Sequence, residues 1–241
     1  MPDLTDEQRT ILEQGKIEVQ GQFLLGSNYT FLVNVTHAGQ TFPAVYKPSR
    51  GEQPLWDFPE ASLAGREVAA YLVSEALGFR FIPFTVLRDG PFGPGSLQQF
   101  IDYNPNYHYF NFKPDDRQRL RPVAVFDLLV NNADRKGGHI LVEKRSRRIF
   151  VIDHGLCFHE DDKLRTILWD FAGEAIPPDL LSVVDAFRGE LSGTSGLRPA
   201  LGAYLTRREL AALSARAGRL VAEGRFPHPP VDRRAYPYPP L

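Results

Sequence analysis

Four charged residues occur along the chain in an order that could do chemistry together. Lys47 ends the apolar run "TFPAVYKP", and Glu67 lies in the helical stretch 61–77 that follows. Asp134 sits in "NNADRKGGH" after an apolar helix, and Asp153 follows "HILVEKRSRRIFVI". Phosphoryl transfer from ATP asks for such a set: a strand Lys for the phosphates and a helix Glu to hold that Lys. It also needs an Asp to orient or deprotonate the acceptor, and a second Asp to bind the metal that bridges the phosphates. The stretch between the two aspartates reads as a hairpin, two apolar runs around the basic turn "EKRSRR". A strand out and a strand back, at ~3.3 Å per residue, return Asp153 to the neighbourhood of Asp134.

Each residue also has a plainer reading. Lys47 and Glu67 alone are solvated side chains, and Asp153-His154-Gly155 alone is a capped strand end. His139, Asp153, His154 and His159 could together make a metal-dependent hydrolase. That set leaves Lys47 and Glu67 without a role, and adjacent strand residues point to opposite faces.

The elements that must position these residues follow from pattern. Thr5 with Gln8 forms a capping box for a helix to Gln14. "GQFLLGSNYTFLVNV" gives two strands broken at Gly26-Ser27-Asn28, and "TFPAVYKP" gives a third. Ala61 to Leu77 places Val68, Leu72 and Ala76 on one helical stripe closed by Gly78. "FIPFTVLR" and "GSLQQFID" are strands around "DGPFGPG". Leu120 to Asn131 is helical, as is 206–224, where Thr206 and Glu209 repeat the capping box. The expected division is a β-rich part over 1–102, a mainly helical part over 103–226, and a tail over 227–241. That tail holds six prolines and reads as extended, polyproline-like chain.

Composition narrows the class. The chain has 241 residues and a formal net charge of -1, so no global field favours nucleic acid. Its one cysteine, Cys157, excludes an intrachain disulfide and a cysteine-based zinc site. No apolar stretch reaches the ~18 residues of a membrane span, and the amino-terminal residues lack a signal-peptide core, so a cytoplasmic protein is expected.

"NADRKGGHIL" followed by "VIDHGLCF" resembles the catalytic loop and metal-binding motif of the phosphatidylinositol 3-/4-kinase-like superfamily. The type II phosphatidylinositol 4-kinases and small bacterial relatives are most similar. The resemblance runs from about Gly21 to Leu168 and is strong in those two motifs. It implies an α+β, bilobal protein-kinase-like fold: a β-rich N-lobe with one helix, a mainly helical C-lobe, and use of ATP with Mg²⁺ or Mn²⁺. By the same resemblance Asp134 is the catalytic Asp and Asp153 the metal Asp, while Lys47 anchors phosphate and Glu67 partners it. "GSNYTFLV" is similar to the phosphate-covering turn, with Ser27 and Asn28 at its tip. "SLQQFID" is similar to the hinge, whose backbone around Gln99 and Phe100 would meet adenine. Relatives carry Asn five residues after the catalytic Asp, as second metal ligand; here the residue is His139. Imidazole suits hard Mg²⁺ less well than an oxygen ligand. That substitution leaves three readings: a preference for Mn²⁺, a single firmly held metal, or a nucleotide-binding pseudokinase or scaffold without transfer. The phosphoryl acceptor, whether protein, lipid headgroup or small molecule, is not legible.

Overall fold

A computed structural model of the chain describes residues 4–23, 29–53, 55–193 and 196–241. Ser27 and Asn28 lie outside the described residues. The first helix, α1 (Asp6–Gln14), begins with the expected capping box: Thr5 and Gln8 exchange side-chain and backbone hydrogen bonds at 3.0 and 3.2 Å. Five antiparallel strands follow: β1 (Lys16–Gln22), β2 (Phe31–His37), β3 (Gln40–Pro48), β4 (Thr85–Gly90) and β5 (Gly93–Gln99). They are ordered β1-β2-β3-β5-β4. Alternation sends Val33, Val35, Ala44, Tyr46 and Leu97 to the face covered by Ile11 and Leu12 of α1. Lys47, one residue beyond Tyr46, therefore points to the other face. The strand-rich part carries both expected helices, α1 before the sheet and the inserted α2.

Helix α2 (Leu63–Ala76) departs from the expected stripe. Ten of its residues, from Leu63 to Ser74, are buried, Arg66 and Glu67 among them. A helix with one neighbour shows one apolar stripe; α2 has neighbours all round. It touches β4 and β5 on one side, and its Ala69, Ala70 and Val73 share a buried cluster with Phe126 and Phe158 of the helical part. The Glu52 carboxylate caps it from the preceding loop, accepting from the N–H groups of Leu63 (3.2 Å) and Ala64 (3.0 Å).

The remainder is mainly helical: a short α3 (Pro114–Gln118), then α4 (Arg121–Val130), α5 (Pro178–Ser192), α6 (Leu197–Gly202) and α7 (Arg207–Glu223). Between α4 and α5 lies the expected hairpin, β6 (Ile140–Val142) and β7 (Ile149–Val151), with Ile140 opposite Val151. Nearly all of α4 from Val123 to Val130 is buried, and the helix stops at Asn131 in the left-handed region (φ 55°). Residues 227–241 form a strap laid on the helical part. Ala235 O accepts from Thr166 N (3.1 Å) and Trp169 Nε1 (3.2 Å), and Pro240 O accepts from Gly137 N (2.8 Å). No helix among the described residues is long and apolar enough to cross a membrane.

Candidate active site

Lys47 at the end of β3, Glu67 on α2 and Asp153 after β7 meet in one charged cluster. Lys47 Nζ lies 2.5 Å from Glu67 Oε1 and 3.0 Å from Asp153 Oδ1. Glu67 is 3 % exposed, and its second oxygen accepts from the backbone N–H of His154 at 3.0 Å. A buried carboxylate is costly unless its oxygens find such partners. Although burial works against the ammonium, Asp153 and Glu67 hold the Lys47 pKa above the usual lysine value. Burial likewise opposes ionisation of Asp153, but Lys47 and His139 hold its carboxyl well below the ordinary range.

Asp134 is placed by a buried scaffold that the sequence reading did not identify. Asp127, on the inner face of α4, accepts from Arg135 Nε (3.1 Å) and Nη2 (2.9 Å), Asn132 Nδ2 (3.1 Å) and Thr166 Oγ1 (3.0 Å). Arg135 and Asp127 are both fully buried. Arg135 also donates to Ile152 O at 3.0 Å, and Ala133 N donates to Leu156 O at 2.9 Å. These bonds tie the loop of Asp134 to the loop of Asp153, as the hairpin spacing requires. A carboxylate in an otherwise apolar helix was the available signal, since only strong pairing keeps one there. Asn132 Oδ1 accepts from Asp134 N at 2.9 Å, and Lys136 Nζ lies 3.2 Å from Asp134 Oδ2. Burial raises the Asp134 pKa to about 6; Lys136 opposes the rise and Asp153 adds to it.

Asp153 itself turns the chain, with φ 63°. Gly155 has a different duty: a Cβ there would meet Leu63 Cβ at 3.3 Å, so glycine permits close approach to α2. A non-glycine residue in the left-handed region is uncommon and strained, and such residues gather at functional sites. His139 Nε2 lies 3.2 Å from Asp153 Oδ2. Burial, with Arg135, Lys47 and Lys136 nearby and Asp153 in opposition, lowers the His139 pKa to about 4, so the ring is neutral near pH 7. Its Nδ1 is buried without a hydrogen-bond partner among the described residues.

Those two donors fit a divalent cation. His139 Nε2 and Asp153 Oδ2 would be its protein ligands, and Mg²⁺ is commonly bound by one or two protein ligands plus phosphate and water. Among the described residues no group of three or more His, Cys, Asp or Glu side chains could hold a metal. The hydrolase set is therefore not assembled. His154 is fully buried and its Nε2 accepts from Arg135 Nη2 at 2.7 Å, while His159 Nε2 meets Asp57 O at 2.9 Å.

At the proposed hinge, Gln99 N donates to Phe84 O (2.9 Å) and Phe100 N to Pro43 O (3.3 Å). Both N–H groups are thus used within the sheet, which narrows the expectation for these residues to their carbonyls and the backbone after them. Just beyond, Ile101 packs with Leu141 and Phe150 in a small apolar cluster that Tyr103 and Ile152 extend.

The sequence profile of the family "Phosphatidylinositol 3- and 4-kinase" matches residues 63–183, half of the chain. Protein Rv2133c of Mycobacterium tuberculosis is 38% identical over 98% of this chain and 96% of its own. Phosphatidylinositol 4-kinase gamma 4 of Oryza sativa is 29% identical over 49% of this chain, which spans a quarter of that plant protein's length. The solved structure of hydra Fam20 with sugar superposes with a TM-score of 0.52 at 15% identity, covering 91% of this chain and 89% of that one. That likeness concerns the fold alone, which is the α+β protein-kinase-like one. With the profile match extending from α2 through both aspartate loops, the chain belongs to the phosphatidylinositol 3- and 4-kinase family.

Proposed function

We propose that the chain is an ATP- and divalent-cation-dependent phosphotransferase. The observation that carries this reading is Lys47 Nζ held between Glu67 and Asp153, with the loop of Asp134 tied to that of Asp153 through Arg135 and Ile152 O. Lys47 binds phosphate oxygens and Glu67 fixes its position. Asp153 and His139 would hold a divalent cation, which would supply neutralisation of charge on the phosphates. Asp134 accepts the acceptor's hydroxyl proton as the bond from acceptor oxygen to the γ-phosphorus forms. The bond from that phosphorus to the β–γ bridging oxygen breaks, and ADP leaves. A carboxylate with a pKa of about 6 is a stronger base than an ordinary Asp and is still ionised near pH 7.

In this reading Ser27 and Asn28 cover the phosphates. The backbone from Gln99 and Phe100 onward meets adenine over Ile101 and Leu141. Residues 1–102 supply the nucleotide-binding sheet, and 103–226 supply the catalytic and cation-binding loops. The acceptor is a protein, a lipid headgroup or a small molecule.

The test is Asp134→Asn. Nucleotide affinity should be nearly unchanged while ADP formation falls by roughly 10²–10⁴-fold. Unchanged turnover overturns the assignment. A second reading, a nucleotide-binding scaffold without transfer, is favoured by His139 where relatives place an oxygen ligand. It predicts a melting shift with ATP and cation together but no ADP from the wild type.

A further inference from the structure

Behind the hinge lies a cavity of about 260 Å³ that none of Lys47, Glu67, Asp134, His139 or Asp153 lines, though the hinge residues Gln99, Phe100 and Ile101 do. It is bounded by α1, the end of α2, the approach to β4, the hinge itself and the β6–β7 hairpin, so both parts of the molecule contribute. One wall is apolar and largely aromatic: Ile82, Pro83, Phe84, Phe100 and Phe150. The rest is charged, and most of those charges are already engaged. Asp102 is paired with Lys144 at 2.6 Å, and Glu143 accepts from Ser146 Oγ at 2.6 Å. Arg148 donates to Arg80 O at 3.1 Å and lies over the Phe150 ring.

Arg9 and Arg145 differ. Arg9, on α1, has its guanidinium 5.5 Å from the centroid of Phe84. Arg145 stands exposed at the hairpin tip. Neither has a carboxylate partner among the described residues, and they reach the cavity from opposite lobes.

We propose that this cavity binds a small aromatic oxyanion, its ring on the Phe84, Phe100 and Phe150 wall and its phosphate or carboxylate between Arg9 and Arg145. The aromatic wall lowers the dielectric beside Arg9, Arg145 adds a second guanidinium from the exposed hairpin tip, and guanidinium forks match the geometry of such anions. An apolar wall with a few convergent polar groups is the usual make-up of a small-molecule site. An anion held by both arginines joins the lobes beside the hinge, where it would bear on closure of the cleft.

Phenyl phosphate is the probe, titrated calorimetrically into the full chain, with inorganic phosphate and benzyl alcohol as half-ligand controls. Wild type and Lys47→Met should bind it alike. Arg9→Gln/Arg145→Gln, with unaltered melting, should bind it at least roughly tenfold more weakly, a loss of about 1.4 kcal/mol. Each control should fall short by a similar factor. Binding that survives the double substitution, or that disappears in Lys47→Met, overturns the site. So does the absence of heat at millimolar ligand.

Discussion

Arg66 and Glu209 form a buried ion pair between α2 and the first turn of α7, with side chains 1% and 7% exposed. Glu209 serves two partners: one oxygen takes the Arg66 guanidinium and the other accepts from Thr206 N at 2.8 Å, closing the capping box. Arg66 also donates to Cys157 O at 2.6 Å and lies over the Phe58 ring. The residue next to Arg66 is Glu67. Bolting Arg66 to α7 therefore fixes the rotation of α2 that turns Glu67 toward Lys47.

Glu209→Gln separates the two duties, because glutamine still fits a capping box but carries no charge. Arg66→Met and Glu209→Gln should each destabilise the fold, Arg66→Met by about 3–5 kcal/mol, since a buried charge is left alone. The double variant should lose less than the sum, with a coupling of at least about 1 kcal/mol in urea melts. Strict additivity would show that the two side chains do not depend on one another.

Asp134 gives a pH signature in the ligand-free protein. Its pKa is about 6 in the fold against 3.8 for an ordinary aspartate. Below the lower value the carboxyl is protonated whether folded or unfolded; above the higher it is ionised in both, and the fold carries the cost of a buried charge. Stability is therefore lost as pH rises through this window. Asp134→Asn should melt higher than wild type at about pH 7.5, by roughly 1–2 kcal/mol once solvent screening of a quarter-exposed side chain is allowed for. The gain should vanish near pH 4. Lys136→Met, which removes the opposing cation, should move the carboxyl titration upward by carbon-detected NMR. A downward move would refute the pairing.

His139 sets the choice of cation. With an imidazole nitrogen and one carboxylate oxygen as protein donors, Mn²⁺ should be favoured over Mg²⁺ relative to an all-oxygen pair. His139→Asn restores an oxygen donor. In the presence of a non-hydrolysable ATP analogue, the cation-dependent melting shift should change preference toward Mg²⁺ by roughly tenfold in affinity, about 1.4 kcal/mol. An unchanged Mg²⁺/Mn²⁺ ratio would mean that the ring does not touch the ion.

What could be read from sequence was local. The capping boxes at Thr5 and Thr206, the strand alternation around Tyr46 and Lys47, and the hairpin between the two aspartates each depend on residues a few positions apart. The burial of α2 was not legible, because a helical stripe reports one packing partner and this helix has several. Asp127 was visible on α4, but its four donors come from Asn132, Arg135 and Thr166, scattered over 35 residues. Near Asp153 the usual left-handed residue is glycine, yet Asp153 itself, two residues before Gly155, takes that conformation, and residue type alone does not announce it.

The strap extends the same lesson to the proline-rich end of the chain, since proline content predicts extension but not what the extended chain covers. Its bonds fall on two elements beside Asp134. Arg165 N donates to Asn132 O, and the next residue, Thr166, donates to Ala235 O in the strap, so the strap lies one layer from the catalytic loop. Pro240 then reaches Gly137, three residues from Asp134. Arg233 adds an ion pair to Asp162 at 2.6 Å and a bond to Leu164 O at 3.1 Å. Truncation after Phe226, which is itself buried, removes these partners while leaving α7 whole. Amide exchange should then accelerate at Thr166 and Gly137 by roughly 10–100-fold, equivalent to about 1.4–2.7 kcal/mol of local stability. The amides of α7 should hold their protection. If Thr166 and Gly137 exchange at wild-type rates after truncation, the strap does not brace the loop that carries Asp134.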